Sequence, residues 1–263
     1  MKTTSRVLAS QLRNVMRSRW IIAYALLLLG LTTLLLRFGG SGERALLSLL
    51  NLVLLLLPLV SVVFGTLYVY NAREFIEMLL AQPVGRGATY AGLFGGIALP
   101  LGAAFLAGVG IPLALHGGGE PGYGLQLLTL LGVGLMLTFV FTALALCVAV
   151  RVEDRAWGLG AALVVWLVTA VVYDGLVLLV ASAFAAHPLE GPLLALTFLN
   201  PVDLGRVLLL LRFDVSALMG YTGAVYERFF TAGLGTALAV GMLLVCALVP
   251  LGLGYRWFLR KDF

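Results

Sequence analysis

Residues 71–87 read NAREFIEMLLAQPVGRG, a charged, helix-like island between two long apolar runs. Arg73, Glu74 and Glu77 are too polar for a bilayer interior, and Phe75, Ile76, Met78, Leu79 and Leu80 are too apolar for a free loop. Proline has no N–H and glycine admits positive φ, so Gln82-Pro83 followed by Gly85 and Gly87 ends the helix. The stretch predicts a short amphipathic helix over residues 71–82. It lies at a membrane surface and presses against something outside the bilayer.

The composition places this island in a membrane chain. Of 263 residues, 62% are apolar and only 11% are charged, whereas a soluble domain carries roughly 25% charged residues. Apolar runs recur along the whole length at residues 20–36, 46–70, 90–115, 125–150, 157–186 and 232–255. Each can cross ~30 Å of hydrocarbon at ~1.5 Å per residue. The expectation is an all-α polytopic protein with six spans in one transmembrane domain over residues 1–263. Residues 20–36 have no small-residue cleavage pattern behind them, so they read as a span and not as a signal peptide.

Orientation follows from lysine and arginine. One side carries Lys2, Arg6, Arg13, Arg17, Arg19, Arg73, Arg86, Arg151, Arg155, Arg256, Arg260 and Lys261. The other has Arg37, Arg44, Arg206, Arg212 and Arg228. The richer side faces the cytoplasm. Both termini and residues 71–87 are therefore expected there. Residues 2–19 place Lys2, Arg6, Arg13 and Arg17 on one helical face, opposite Leu8, Leu12, Val15 and Met16. That pattern fits an interfacial helix on an anionic leaflet, or simply a basic flank. The net charge of +5 sits at the ends of apolar runs, which argues against nucleic acid as a partner.

Residues 187–231, the outer connection before the sixth run, are different in kind. Asn200-Pro201-Val202-Asp203 is a helix start: an asparagine cap, proline in the first turn and an acid facing the positive end of the dipole. The segment is too short to span, so short helices dipping into or lying on the outer leaflet are expected. Asp174, beside Tyr173, is the one acid deep in a span, ~22 Å above the cytoplasmic edge. Such a carboxylate either lines a hydrated path or is paired with a neighbouring helix or an outer arginine.

Chemistry of other kinds finds little footing. A phosphate-cradling P-loop needs a lysine after its glycines, and neither Lys2 nor Lys261 has that context. Any ATPase is therefore expected on another chain. Met242 with Cys246, and Met136 with Cys147, share helix faces and read as packing, with no metal or other cofactor expected. His116 and His187 have no ligand-spaced partners, and no hydrolase constellation is present. Arg151, Glu153, Asp154 and Arg155 form a cytoplasmic turn, either solvated or a second partner contact. Gly92 with Gly96, and Ala237 with Gly241, offer close helix approaches.

Taken in order, these features resemble the membrane subunit of ABC-2-type ABC transporters. Within that group the chain looks most like the permease of the nitrous-oxide-reductase maturation system. The matching residues are Arg17-Ser18-Arg19-Trp20, Pro83-Val84-Gly85-Arg86-Gly87, Trp166 with Asp174, and Leu199-Asn200-Pro201-Val202-Asp203. The resemblance implies a permease homodimer in a bacterial inner membrane, with two copies of a cytoplasmic ATPase. The ATPase would dock on Arg73, Glu74, Phe75, Ile76, Glu77, Leu79, Leu80 and Gln82. It also implies a periplasmic β-helical partner on a face including Asn200, Pro201, Asp203 and Arg206, and service to a copper enzyme. The helix departs from the family in having only Glu74 and Glu77 where a denser acidic cluster is expected. A lipid, polysaccharide or drug exporter and a non-transporting scaffold share the same architecture.

Overall fold

The computed structural model describes residues 19–38, 42–81, 85–116, 122–183, 190–213 and 234–261. Among the described residues, six helical runs are long and apolar enough to cross a membrane: Arg19–Phe38, Leu47–Asn71, Arg86–Leu115, Tyr123–Arg151, Arg155–Ala183 and Gly235–Arg260. These are spans one to six. They match the six expected runs, with ends moved by a few residues. The differences are physical: hydropathy marks the hydrocarbon, whereas helices continue past it. Arg86, Arg256 and Arg260 are helical yet lie beyond the apolar runs.

The individual elements are α1 (Arg19–Phe38), α2 (Gly42–Asn71), α3 (Arg73–Leu80), α4 (Arg86–Phe105), α5 (Ile111–His116), α6 (Tyr123–Arg151), α7 (Arg155–Leu167), α8 (Tyr173–Ala183), α9 (Glu190–Leu199), α10 (Pro201–Arg212) and α11 (Leu234–Arg260). A π-helical turn, Leu106–Gly110, joins α4 to α5, and another, Val168–Val172, joins α7 to α8. The first turn precedes Pro112, whose ring cannot tolerate the carbonyl four residues earlier, so the helix widens there. Gly108 in that turn lets span one approach: a Cβ there would lie 2.7 Å from Leu28 Cβ and 2.9 Å from the Ala25 carbonyl oxygen.

Span four is the axis of the bundle. Leu130, Leu137, Phe141, Ala145 and Leu146 in α6 are fully buried. Spans two and six grip it through small residues. A Cβ on Gly65 would meet Ala145 at 2.8 Å, and one on Gly254 would lie 3.3 Å from Cys147 Cα. Close approach through small residues is as expected, but at different positions. Gly92 and Gly96 are buried within α4. Ala237 and Gly241 face outward, with nothing within 4 Å of a Cβ on Gly241. Met242 and Cys246 pack against the core, as their apolar setting implied. Residues 2–18, which include the expected interfacial helix, lie outside the described residues.

Of the connection before span six, the described residues 190–213 dip into the bundle. α10 packs on α6, and a Cβ on Gly205 would press on Val133, Leu54 and Leu137. Val133 is ten residues from the outer end of α6 at Tyr123, hence ~15 Å deep. A short helix at that depth keeps its backbone bonds internal, and protein satisfies its ends.

Candidate functional site

Two polar assemblies stand at opposite ends of the bundle. One, at the end of the bundle where α2 meets α3 and α11 ends, is built on α3. A single residue, Ala72, separates α3 from α2, and the backbone ladder runs through it: Ala72 N donates to Tyr68 O at 2.9 Å, and Ile76 N donates to Ala72 O at 2.9 Å. Ala72 has φ −89° and ψ 3°, which turns the chain without breaking the ladder. The helix expected as separate from both spans is therefore jointed to span two.

The two faces of α3 differ sharply. Ile76 is 2% exposed and Leu79 9%, both turned into the bundle, with Leu80 half-buried beside them. Glu74, Phe75, Glu77 and Met78 form the opposite, exposed face, an arc of ~160° at 100° per residue. The eight residues expected to meet an ATPase thus divide. Glu74, Phe75 and Glu77 are presented outward. Ile76 and Leu79 seat the helix, and Gln82 lies outside the described residues. Met78, which sequence reasoning left out of that set, joins the outward face.

Arg73 ties α3 to the rest of that end of the bundle. Its guanidinium lies 5.9 Å over the Tyr70 ring, and Nη1 donates to the Glu153 carbonyl at 3.2 Å. Tyr70 Oη donates to Val152 O at 2.9 Å, and Lys261 Nζ donates to Val150 O at 3.0 Å. These donors satisfy carbonyls at the C-terminal end of α6, where a helix leaves its last acceptors unpaired and carries negative dipole charge. Lys261 also lies 3.6 Å from Glu153 Oε1. Burial, followed by the charge of Arg73, holds the Lys261 ammonium pKa below its ordinary value. Arg86 Nη1 in turn donates to Leu259 O at 2.7 Å and Lys261 O at 2.9 Å.

The turn at residues 151–155 is solvated at its side chains, since Arg151, Glu153, Asp154 and Arg155 are all exposed. Its backbone, however, is a junction for α2, α3 and the tail. Asp154 caps α7 by accepting from Trp157 N at 2.8 Å. Sequence reasoning missed Tyr70, Arg86 and Lys261 as members of this junction. The one available signal was the rarity of lysine.

The outer assembly centres on Arg206. Its Nη1 donates to Asp174 Oδ1 at 2.7 Å and to Asp203 Oδ1 at 3.2 Å. Asn200 Nδ2 donates to Asp203 Oδ2 at 3.1 Å and to the Thr169 carbonyl at 2.7 Å. Thr169 lies in the second π turn, whose widened geometry frees a backbone acceptor for Asn200. Asn200 Oδ1 accepts from Val202 N at 3.1 Å, so the expected cap is present. Tyr173 Oη donates to Leu196 O at 2.7 Å, joining α8 to α9.

Of the two readings of Asp174, pairing with an arginine of the outer connection is the geometry found. One expectation is corrected in placement. Asn200 is 1% exposed, Asp203 8%, and Pro201 is buried, with Arg206 turned toward the two acids. Their polar groups satisfy one another and the π turn, so these four residues form an internal clasp and not an outward partner face. Among the described residues no cluster of three or more metal-ligating side chains occurs.

Residues 6–263 match the family described as ABC-2 family transporter protein, and the chain belongs to that family. It is 29% identical over 226 residues to the probable ABC transporter permease protein NosY of Pseudomonas aeruginosa, covering 80% of this chain and 82% of that protein. It is likewise 29% identical over 228 residues to the protein of the same name from Stutzerimonas stutzeri, covering 78% of this chain and 80% of that one.

Proposed function

We propose that this ABC-2 family chain is the membrane subunit of a transporter driven by a separate cytoplasmic ATPase, which docks on the outward face of α3. The observation that carries this reading is the division of α3. Its inner face is seated by Ile76 and Leu79, while Phe75 (40% exposed) and Met78 (61% exposed) stand outward, with Glu74 and Glu77 together along one side of them. Exposed apolar side chains bordered on one side by acids, on a helix fixed from behind, suit a groove in a partner.

Movement of α3 would pass along two routes. One is the unbroken ladder into span two. The other runs through Arg73, Tyr70 and Lys261 to the end of span four and the tail of span six. At the far end the Arg206 clasp holds α10 to span five, so a tilt of span five either carries α10 with it or opens the clasp.

Two copies of the permease would pair in the inner membrane, with both termini cytoplasmic. The finer role is maturation of a periplasmic copper enzyme such as nitrous-oxide reductase. Its support is the sequence resemblance and the two relatives named NosY. A periplasmic partner would then meet surface of the outer connection other than the clasp. The competing role is export of lipid, polysaccharide or drug by the same machinery, and a non-transporting scaffold is the third.

Purification in mild detergent, with identification of co-purifying chains, tests all of these. A P-loop ATPase at matched stoichiometry is expected, and its loss on changing Phe75→Asp with Met78→Asp. A periplasmic β-helical protein in the same complex would support the copper-enzyme role. Retention of the ATPase by the double variant would refute the docking face.

A further inference from the structure

Spans one, two and three enclose a crevice of about 610 Å³ on the cytoplasmic half of the bundle. Tyr24 and Leu27 form one wall, Val60 and Val63 the other, and Leu101 lies behind them. Along span two it runs from Asn71 to Leu59, twelve residues or ~18 Å. The hydrocarbon of one leaflet is ~15 Å thick, half of the bilayer core. The crevice therefore has the length of one leaflet and lies in the inner one.

Its mouth has the composition of a membrane interface. Trp20 is 76% exposed there, Arg19 beside it is exposed, and Arg17 precedes them in the sequence. Asn71 marks the same end on span two. The lining is mostly apolar, its polar side chains being Tyr24, Tyr68, Asn71 and the Trp20 indole, so it offers a polar cargo few hydrogen-bonding partners.

We infer that this crevice binds an inner-leaflet phospholipid with an anionic headgroup, its acyl chains between spans one and two and its phosphate against Arg19. The charge at the mouth selects the headgroup, and the apolar walls select the chains. This is a binding site, and it stands whether or not lipid is the cargo. Its readout is lipid content, so its failure is separable from failure of the ATPase docking face.

The test is reconstitution of the full chain in nanodiscs of mixed phosphatidylglycerol and phosphatidylcholine, followed by native mass spectrometry of the retained lipid. Phosphatidylglycerol should be enriched about fivefold over its bulk share, the effect of one arginine at a membrane surface. Arg19→Gln should keep a bound lipid and lose the preference. Val63→Trp should lose the bound lipid, with Leu27→Trp as the independent filling variant should Val63→Trp misfold by circular dichroism. Equal lipid retention by a folded filling variant overturns the proposal, as does an unchanged preference in Arg19→Gln. So does a lipid-free wild type whose crevice is closed by dimerisation, read as thiol protection of Leu27→Cys that follows protein concentration and not lipid.

Discussion

Arg206 serves two carboxylates with one guanidinium, and the three groups come from two elements. Removing the cation leaves Asp174 and Asp203 facing each other without a counter-charge in a half-buried site. Arg206→Met is expected to lower stability by about 2 kcal/mol, read as a fall in detergent thermal unfolding. Asp203→Asn leaves one acid with one base and keeps the contact with Asn200, so its cost should stay near ~1 kcal/mol. Equal losses in the two variants would contradict this balance of charge. At the other end, Gly158 is fixed by Tyr70, whose hydroxyl occupies the place of a Cβ. Gly158→Ala must push the phenol away and break its bond to Val152 O, at about 1 kcal/mol. A double-mutant cycle with Tyr70→Phe should therefore be non-additive, the second change costing less once the first is made.

At the level of the element, α3 separates folding from docking within eight residues. Ile76→Asp buries an unpaired charge and is expected to destabilise the chain itself by several kcal/mol, seen as lost monodispersity in detergent. Phe75→Asp alters exposed surface and should leave folding intact while weakening partner capture. If both changes act alike on folding, the two faces are misassigned. The existence of α3 was legible in residues 71–82 because its apolar and charged residues recur at helical spacing between two spans. Which face turns inward was not legible, since Phe75, Met78, Ile76 and Leu79 are all apolar and only packing against α2, α4 and the tail selects among them. The same holds for α10. Asn200-Pro201 announces a helix start through local chemistry, and that start is present. The inward placement of Asn200 depends on Thr169, 31 residues away in a π turn that no local pattern announces. Asp174 was legible as a misfit in an apolar run, and its partner Arg206 only as one of several outer arginines.

Across the whole molecule, burial is unevenly shared. Span four is 67% buried and span five only 6%, although the two are similar in length and hydropathy. Leu163, Leu167 and Val171 on span five are each 44–48% exposed. This is the face expected to meet lipid or the second copy. In a background with Cys147→Ser and Cys246→Ser, Leu167→Cys should form a disulfide-linked dimer on oxidation in membranes, whereas Val133→Cys, buried in span four, should not. A monomer in both cases would remove span five from the dimer contact. The six-span fold itself was written in hydropathy, because bilayer thickness fixes helix length. The junction of Tyr70, Arg73, Arg86 and Lys261 was not, because its acceptors are backbone carbonyls that any sequence supplies. Force is proposed to enter through the outward face of α3. The most direct measurement is photo-crosslinking in native membranes, with a crosslinking amino acid placed in turn at Phe75 and at Ile76. The account predicts capture of a P-loop ATPase from Phe75 and none from Ile76; absence of that product at Phe75, or equal capture from both positions, would contradict it.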